Sequence, residues 1–273
     1  MAEPRTPTCL TIATSDSGGG AGVQADVKAF AAAGCHGATV IVGLTAQNTV
    51  EVAATFEVPA WFITAQLDAV FNDIGIDALK TGALQSRETV DAVAAFLERL
   101  QSAGALPPLV IDPVLRASSG AALLPDDALE ALIDRLLPLS TVITPNHDEA
   151  VVLARRDGSA HELAEAIVAR GAHAALITGS GRSGDHLYDG ARHMNIAVPV
   201  TQARATHGSG CTHSATVCAH LARGADLKTA ARAAAAATAS AITLGLDDVG
   251  SGDGPVDVIG LRVHRGARRR PVP

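Results

Sequence analysis

Thr8-Cys9-Leu10-Thr11-Ile12-Ala13-Thr14-Ser15-Asp16-Ser17-Gly18-Gly19-Gly20-Ala21-Gly22-Val23-Gln24-Ala25-Asp26 is the stretch that decides the fold class. Residues 8–14 are mostly aliphatic or β-branched, a strand-length run, and a glycine-rich turn follows at once. From Val23 to residue 33 the apolar residues return at helical spacing. A strand, a tight glycine turn and a helix make one βα unit. The alternation continues down the chain, with further strands expected at 39–44, 78–81, 109–112, 141–144 and 174–178. Helices are expected between them at 61–74, 87–103, 126–136 and 162–170. This pattern predicts an α/β fold with a central, mostly parallel sheet flanked by helices on both faces.

Two later segments, near 186–188 and 193–198, flank Asp189-Gly190, a hairpin signal that places a short antiparallel pair at the sheet edge. Residues 211–221 and 227–243 are alanine-rich and read as two packed helices. No internal repeat or low-complexity linker interrupts the chain, and 157–160 reads as an exposed turn. One domain is expected over 1–261, followed by a basic tail at 262–273. The tail holds Arg262, Arg265, Arg268, Arg269 and Arg270 and reads as a solvated chain end rather than an anion-binding arm.

Composition narrows the function classes. The chain has 273 residues, 48% hydrophobic, enough for one sizeable core. With 3% aromatics, that core is built from Val, Leu, Ile and Ala, as buried parallel strands require. The net charge is 21 − 28 = −7, which argues against nucleic acid held on a broad basic surface. No run is long enough to span a bilayer and no signal peptide is recognisable, so a cytoplasmic protein without membrane partners is expected. Cys9, Cys35, Cys211 and Cys218 show neither a CxxC pair nor finger spacing and are expected to be reduced thiols.

Several motifs can carry chemistry. The 15–22 turn allows close backbone approach to a ligand and aims a helix N-terminus at it. It is neither dinucleotide fingerprint nor Walker loop. The second strand ends Thr45-Ala46-Gln47-Asn48 without the ribose-binding acid, and Val23-Gln24 follow Gly22 instead of Lys-Ser. Thr206-His207-Gly208-Ser209-Gly210-Cys211-Thr212 opens another helix. One reading is an anion nest with Cys211 at the positive helix end, its thiol pKa lowered. The other is a glycine-rich turn with a buried cysteine. Asp112-Pro113 and Asn146-His147-Asp148-Glu149 put acids beyond strand ends, where a metal-bound triphosphate can be held, although Asn146 and Glu149 also form a capping-box pattern. Gln47 can donate to and accept from a heterocycle; a polar turn is the plainer account. Cys218 reads as core, His207 and His213 as surface or capping residues, and Lys80-Thr81-Gly82 as a possible wall of the same cleft.

Taken together, Ser15 to Asp26, Leu44-Thr45-Ala46-Gln47-Asn48-Thr49, Asp112-Pro113-Val114, Ile143-Thr144-Pro145-Asn146 with Glu149, and Thr206 to Thr212 resemble the hydroxymethylpyrimidine/phosphomethylpyrimidine kinases of the ribokinase-like superfamily, over about residues 10–256. The resemblance implies transfer of the ATP γ-phosphate to a pyrimidine hydroxymethyl group, and then to the monophosphate, in thiamine biosynthesis or salvage. It implies substrate contacts at Gln47, Asp26, Gly20 and Val114, and an anion hole of Gly208, Ser209 and Gly210 with Cys211 in the catalytic position. It implies nucleotide contacts at Asn146, Thr178 and Thr206, Mg²⁺ near Asp112 and Glu149, and a homodimer.

The chain departs from the family pattern in three places. Ser118 stands where a Lys is common, with Arg116 nearby; Thr178 replaces a second Lys before Gly179; and the first strand ends Ala13-Thr14 instead of Ala-Gly. Two rival readings follow, a pyridoxal or pyridoxine kinase and a non-catalytic small-molecule-binding protein of the same fold.

Overall fold

The structure is a computed structural model and describes residues 5–115, 123–179, 184–199, 203 and 205–262. In chain order the strands are β1 (Thr8–Asp16), β2 (His36–Gln47), β3 (Val52–Glu57), β4 (Ala78–Thr81), β5 (Leu109–Ile111), β6 (Val142–Ile143), β7 (Ala175–Ile177), β8 (Asp185–Tyr188) and β9 (His193–Ile196). The helices are α1 (Gly22–Ala32), α2 (Ala60–Asp73), α3 (Arg87–Ser102), α4 (Asp126–Ala131), α5 (His147–Ala154), α6 (Ala160–Ala169), α7 (Ser209–Ala222) and α8 (Leu227–Thr243). The stretch expected as one helix over 126–136 is α-helical only through α4, then widens into a π turn over Leu132–Leu136.

All strands join one sheet in the order β3-β2-β1-β4-β5-β6-β7-β8-β9. From β2 through β7 neighbours are parallel, while β3 and the β8–β9 pair run antiparallel at the two edges. The expected hairpin is present, with Gly190 at φ 86° in its turn. The sequence pattern does not reveal β3, because five of its six residues are exposed and no alternating burial marks it.

Side-chain alternation explains the layering. Leu10, Leu79, Leu109, Ile111, Ile143 and Ile177 point to one face, where α2 to α6 cover them; Cys9, Ala78, Val110, Val142 and Leu176 point to the other, under α1, α7 and α8. On that second face Ala230, Ala231, Ala234 and Ala235 of α8 let the backbones of α7 and α8 approach closely. Cys218 lies in this core. No helix of the described residues is long and apolar enough to cross a membrane.

The order reverses at β1, whose chain neighbour β2 lies on one side and β4 on the other. That switch point opens a crevice beyond the carboxyl ends of the strands, and the functional cleft lies there. In the basic tail, Arg262 ends in a short helical turn and pairs with Asp247 and Asp248, so it is anchored rather than frayed. Arg265, Arg268, Arg269 and Arg270 lie outside the described residues.

Candidate functional site

The cleft has a volume of about 670 Å³. It is walled by the glycine loop after β1, the polar ends of β2, β4 and β5, the start of α5 and the start of α7.

Asp16, the last residue of β1, organises the glycine loop. Its Oδ1 accepts the Gly18 N–H at 2.8 Å, and its Oδ2 accepts the N–H groups of Gly20 at 3.0 Å and Ala21 at 2.8 Å. The His207 Nε2 also lies 3.0 Å from Oδ2, which ties the loop before α7 to the loop before α1. Gln47 approaches the same imidazole nitrogen at 3.4 Å. His207 is therefore a buried partner of Asp16, not the surface or capping residue expected.

Burial pushes the Asp16 carboxyl up, but the bonds from His207, Ala21 and Gly18 outweigh it and hold the group below the usual carboxylate range. A depressed folded-state pKa means stability that is present above the unfolded value of about 3.9 and lost as pH falls through the folded one. Urea unfolding followed from pH 6 down to 2 is expected to show a steeper loss in the wild type than in Asp16→Asn, which lacks this one titrating group and keeps the others.

Gly208, the N-cap of α7, has φ 81°, and a Cβ there would sit 1.8 Å from the Gly20 carbonyl oxygen. Only glycine permits that approach. In the first turn, Ser209 N–H donates to the Thr206 carbonyl and Thr212 N–H to the Gly208 carbonyl. Among the described residues this leaves the Gly210 and Cys211 amides as the first-turn donors lining the cleft, at the positive end of a 14-residue helix.

The Cys211 thiol corrects an expectation. A helix N-terminus alone would lower its pKa. Burial instead dominates, the Asp26 and Asp112 carboxylates add to it, and the group is pushed up to about 12 although Lys80 and the Gly22 N–H oppose the rise. At neutral pH Cys211 is a thiol. Its alkylation by iodoacetamide at pH 8 is expected to be far slower than that of an ordinary exposed cysteine and to climb steeply above pH 10. Mass spectrometry of the modified peptide reads this directly.

Lys80, at the end of β4, is fully buried and lines the cleft floor. Its Nζ lies 2.7 Å from Asp26 Oδ1 and 3.6 Å from Asp112 Oδ2. Asp26 also accepts a bond from the Thr11 hydroxyl at 2.6 Å, and Asp112 one from the Ser214 hydroxyl at 2.8 Å. Burial would push the ammonium down, but the neighbouring negative groups, Asp26 foremost, hold it above its ordinary value. Lys80 stays charged.

Asn146 caps α5 as expected: its side chain accepts the Glu149 N–H while the Glu149 carboxylate accepts the Asn146 N–H. The other Glu149 oxygen accepts the Leu115 N–H at 3.2 Å. Burial, then the Asp112 charge, push the Glu149 carboxyl up to about 7 against those two bonds. A buried carboxyl group, Asp112, and a half-buried one, Glu149, repel each other at the cleft edge and form an all-oxygen donor set, which fits a hard divalent cation such as Mg²⁺. Val114, between them in the chain, is a β-branched residue at φ 25°, a strained backbone conformation at the cleft wall.

The structure thus brings Gln47, Asp112, Val114, Asn146, Glu149, Thr178, Gly208, Ser209, Gly210 and Cys211 to one cleft. Three expected contacts are not among the residues that line it. Asp26 is fully buried beneath the floor against Lys80 and has no surface to offer a ligand. Gly20 spends its N–H on Asp16 and packs under His207. Thr206 turns away, its N–H and hydroxyl both bonded to Asp253. Ser118 and Arg116 lie outside the described residues.

The sequence carries a signal for Lys80, because a lysine inside the short buried strand Ala78-Leu79-Lys80-Thr81 needs an anion close by. His213 and Gln85 also line the cleft. The His213 ring is buried 3.2 Å from Asp185, again not at the surface. Both ends of the Gln85 amide lack a protein partner among the described residues.

Comparison with known proteins agrees with this geometry. A family model for phosphomethylpyrimidine kinase matches residues 16–257. A hydroxymethylpyrimidine/phosphomethylpyrimidine kinase of Rhizobium meliloti is 44% identical over 261 residues, covering 92% of this chain and 96% of that one. One of Streptomyces coelicolor is 43% identical over 258 residues, covering 92% and 94%. Among solved structures, an ADP complex of Bacillus subtilis pyridoxal kinase is 34% identical with a TM-score of 0.84, covering 95% of this chain and 100% of that one. A phosphomethylpyrimidine kinase from Clostridium difficile is also 34% identical, with a TM-score of 0.72, covering 83% and 95%. With matched segments that run from the glycine loop through the α7 turn, the chain belongs to the phosphomethylpyrimidine kinase family.

Proposed function

We propose that this chain transfers the γ-phosphoryl group of ATP to the hydroxymethyl oxygen of 4-amino-5-hydroxymethyl-2-methylpyrimidine, and that it serves thiamine biosynthesis or salvage. The observation that carries the reading is the facing arrangement of the α7 turn and the Lys80–Asp112 floor across one cleft, with the Gln47 amide on its wall.

Phosphoryl transfer needs positioning and neutralisation of spreading negative charge more than covalent chemistry. The Gly210 and Cys211 amides and the α7 dipole supply fixed donors for the transferring group. Gln47, with a donor and an acceptor on one amide, matches an amino group beside a ring nitrogen, and the unpartnered Gln85 amide offers a second such pair. Cys211, a protonated thiol, orients the hydroxyl rather than removing its proton early. Asp112 and Glu149 would hold Mg²⁺, which neutralises charge on the triphosphate when bound. Asn146 and Thr178 stand at the same end of the cleft for the nucleotide.

Among the described residues Lys80 is the only lysine or arginine lining the cleft, and Asp26 and Asp112 already engage it. The first phosphorylation is therefore the main activity, and the second, on an already anionic substrate, the slower one. A homodimer is part of the proposal, supported by the exposed side chains of Phe56 on β3 and of Trp61 and Phe62 in the first turn of α2; sedimentation of the purified chain tests it.

The deciding experiment incubates the protein with Mg²⁺-ATP and either the pyrimidine alcohol or pyridoxine, and follows products by mass. Pyrimidine monophosphate formed faster than diphosphate supports the proposal. Preferential pyridoxine phosphorylation would favour the vitamin B6 reading that the pyridoxal kinase fold neighbours keep in view. Binding without turnover of either alcohol would favour a non-catalytic protein.

A further inference from the structure

Away from the cleft, three of the ten histidines gather where α6 crosses the β8–β9 hairpin. On α6, His161 and Glu165 are four apart and share a helical face. On the hairpin, His186 pairs with Asn195 and Tyr188 with His193 across the strands, so these four side chains share one sheet face. The His193 ring lies between the His161 ring, stacked at 3.4 Å, and the Tyr188 ring, stacked at 4.2 Å.

The hydrogen bonds in this cluster have a defined polarity. The Asn195 carbonyl oxygen, an acceptor, faces His186 Nδ1 at 3.0 Å, so His186 carries its proton there. The Nε2 of neutral His186 is then an acceptor, and it faces His193 Nδ1 at 2.9 Å, so His193 donates from Nδ1. Neutral His193 is left with a lone pair on Nε2, and that lone pair points at the Glu165 carboxylate 3.3 Å away. Two acceptors at that distance need a cation between them. His161, whose Nδ1 lies 3.9 Å from the other Glu165 oxygen, adds a third donor atom.

We propose that His161, Glu165 and His193 form a binding site for one zinc-class divalent ion, with His186 and Asn195 fixing the tautomer of His193 from behind. Two imidazoles and a carboxylate suit a borderline ion such as Zn²⁺, not the all-oxygen preference of Mg²⁺. The three ligand atoms already lie within 4.8 Å of one another. Tetrahedral zinc, with bonds of about 2.0–2.2 Å, draws its ligands to roughly 3.3–3.5 Å apart. The His193–Glu165 pair has that spacing, and the exposed His161 ring closes the set by tilting out of the stack. The fourth position is left to water. A bound ion would fasten α6 to the sheet-edge hairpin that begins at Asp185, a cleft-lining residue.

The test titrates the full chain, purified without a histidine tag and stripped with chelator, with Co²⁺ and then Zn²⁺ in the presence of millimolar Mg²⁺. Uptake of one ion per chain, with visible bands of four-coordinate cobalt, is expected. Affinity should fall at least tenfold in His161→Ala and Glu165→Gln, both exposed positions that leave the core intact, and about 10–100-fold in His186→Ala. Zn²⁺ should raise the melting temperature of the wild type but not of the first two variants. The proposal is overturned by no uptake, which would mean that a proton alone bridges His193 and Glu165. Affinity unchanged in both ligand variants, or a sulfur-to-cobalt charge-transfer band, would place the ion elsewhere and overturn it equally.

Discussion

Lys80→Met is expected to cost about 3–5 kcal/mol of folding stability, the scale seen when one partner of a buried ion pair is removed. Asp26 has no access to solvent, so without Lys80 its carboxylate is stranded in the core with one hydroxyl, that of Thr11, as partner. Most of the loss should return in the double variant Asp26→Leu/Lys80→Met, since apolar residues of similar volume can replace a buried pair nearly without penalty. The returning part will fall short by about 1 kcal/mol for the Thr11 hydroxyl, which then lacks its acceptor. Urea unfolding of the four proteins in the cycle, with the denaturant slope held constant as a check on two-state behaviour, gives the coupling. If the double variant is as unstable as Lys80→Met, the pair is not what the lysine stabilises. Activity should stay low even in the recovered double variant, because the cation beside Asp112 is gone from the cleft floor.

Gly208→Ala should lower kcat by about 10²–10³-fold, the effect of losing an aligned anion-hole donor. The left-handed backbone at φ 81° costs an alanine about 1–2 kcal/mol, and the steric conflict is larger. Its Cβ would overlap the Gly20 carbonyl, so the 206–210 turn and the glycine loop must separate. Both loops border the cleft, and Asp16 and His207 hold them together, so the first-turn amides of α7 lose their aim. The core of α7, from Thr212 onward, is untouched, so the chain should still fold, with a melting temperature lowered by about 5–10 °C. Steady-state kinetics paired with a thermal melt checks this; kcat within threefold of the wild type would show that the α7 turn is not the anion hole.

Much of this was legible in the amino-acid sequence. Strand–helix alternation named the fold class, because a buried parallel sheet writes itself as short aliphatic runs between amphipathic ones. The helix at Leu227–Thr243 has the bounds its alanine run predicted, and Ala78–Thr81 those of its aliphatic run. The glycine motifs and strand-end residues that line the cleft were also visible, since loops that approach a ligand need unusual backbone and polar tips. β3 was invisible because, being exposed, it carries no burial signature.

Sequence alone determined the layered α/β architecture, the positions of its two glycine-rich turns and the family to which those turns point. All of these are set by local preference and by the order of residues along the chain. Tertiary structure alone decided what the charged groups do. It buried Asp26 of the first helix beneath the cleft, and joined Asp16 to His207 across 191 positions. It also raised the Cys211 thiol where a helix end by itself would have lowered it. The charge state and role of an ionisable side chain depend on burial and on partners distant in the chain, and neither is encoded in the residues beside it.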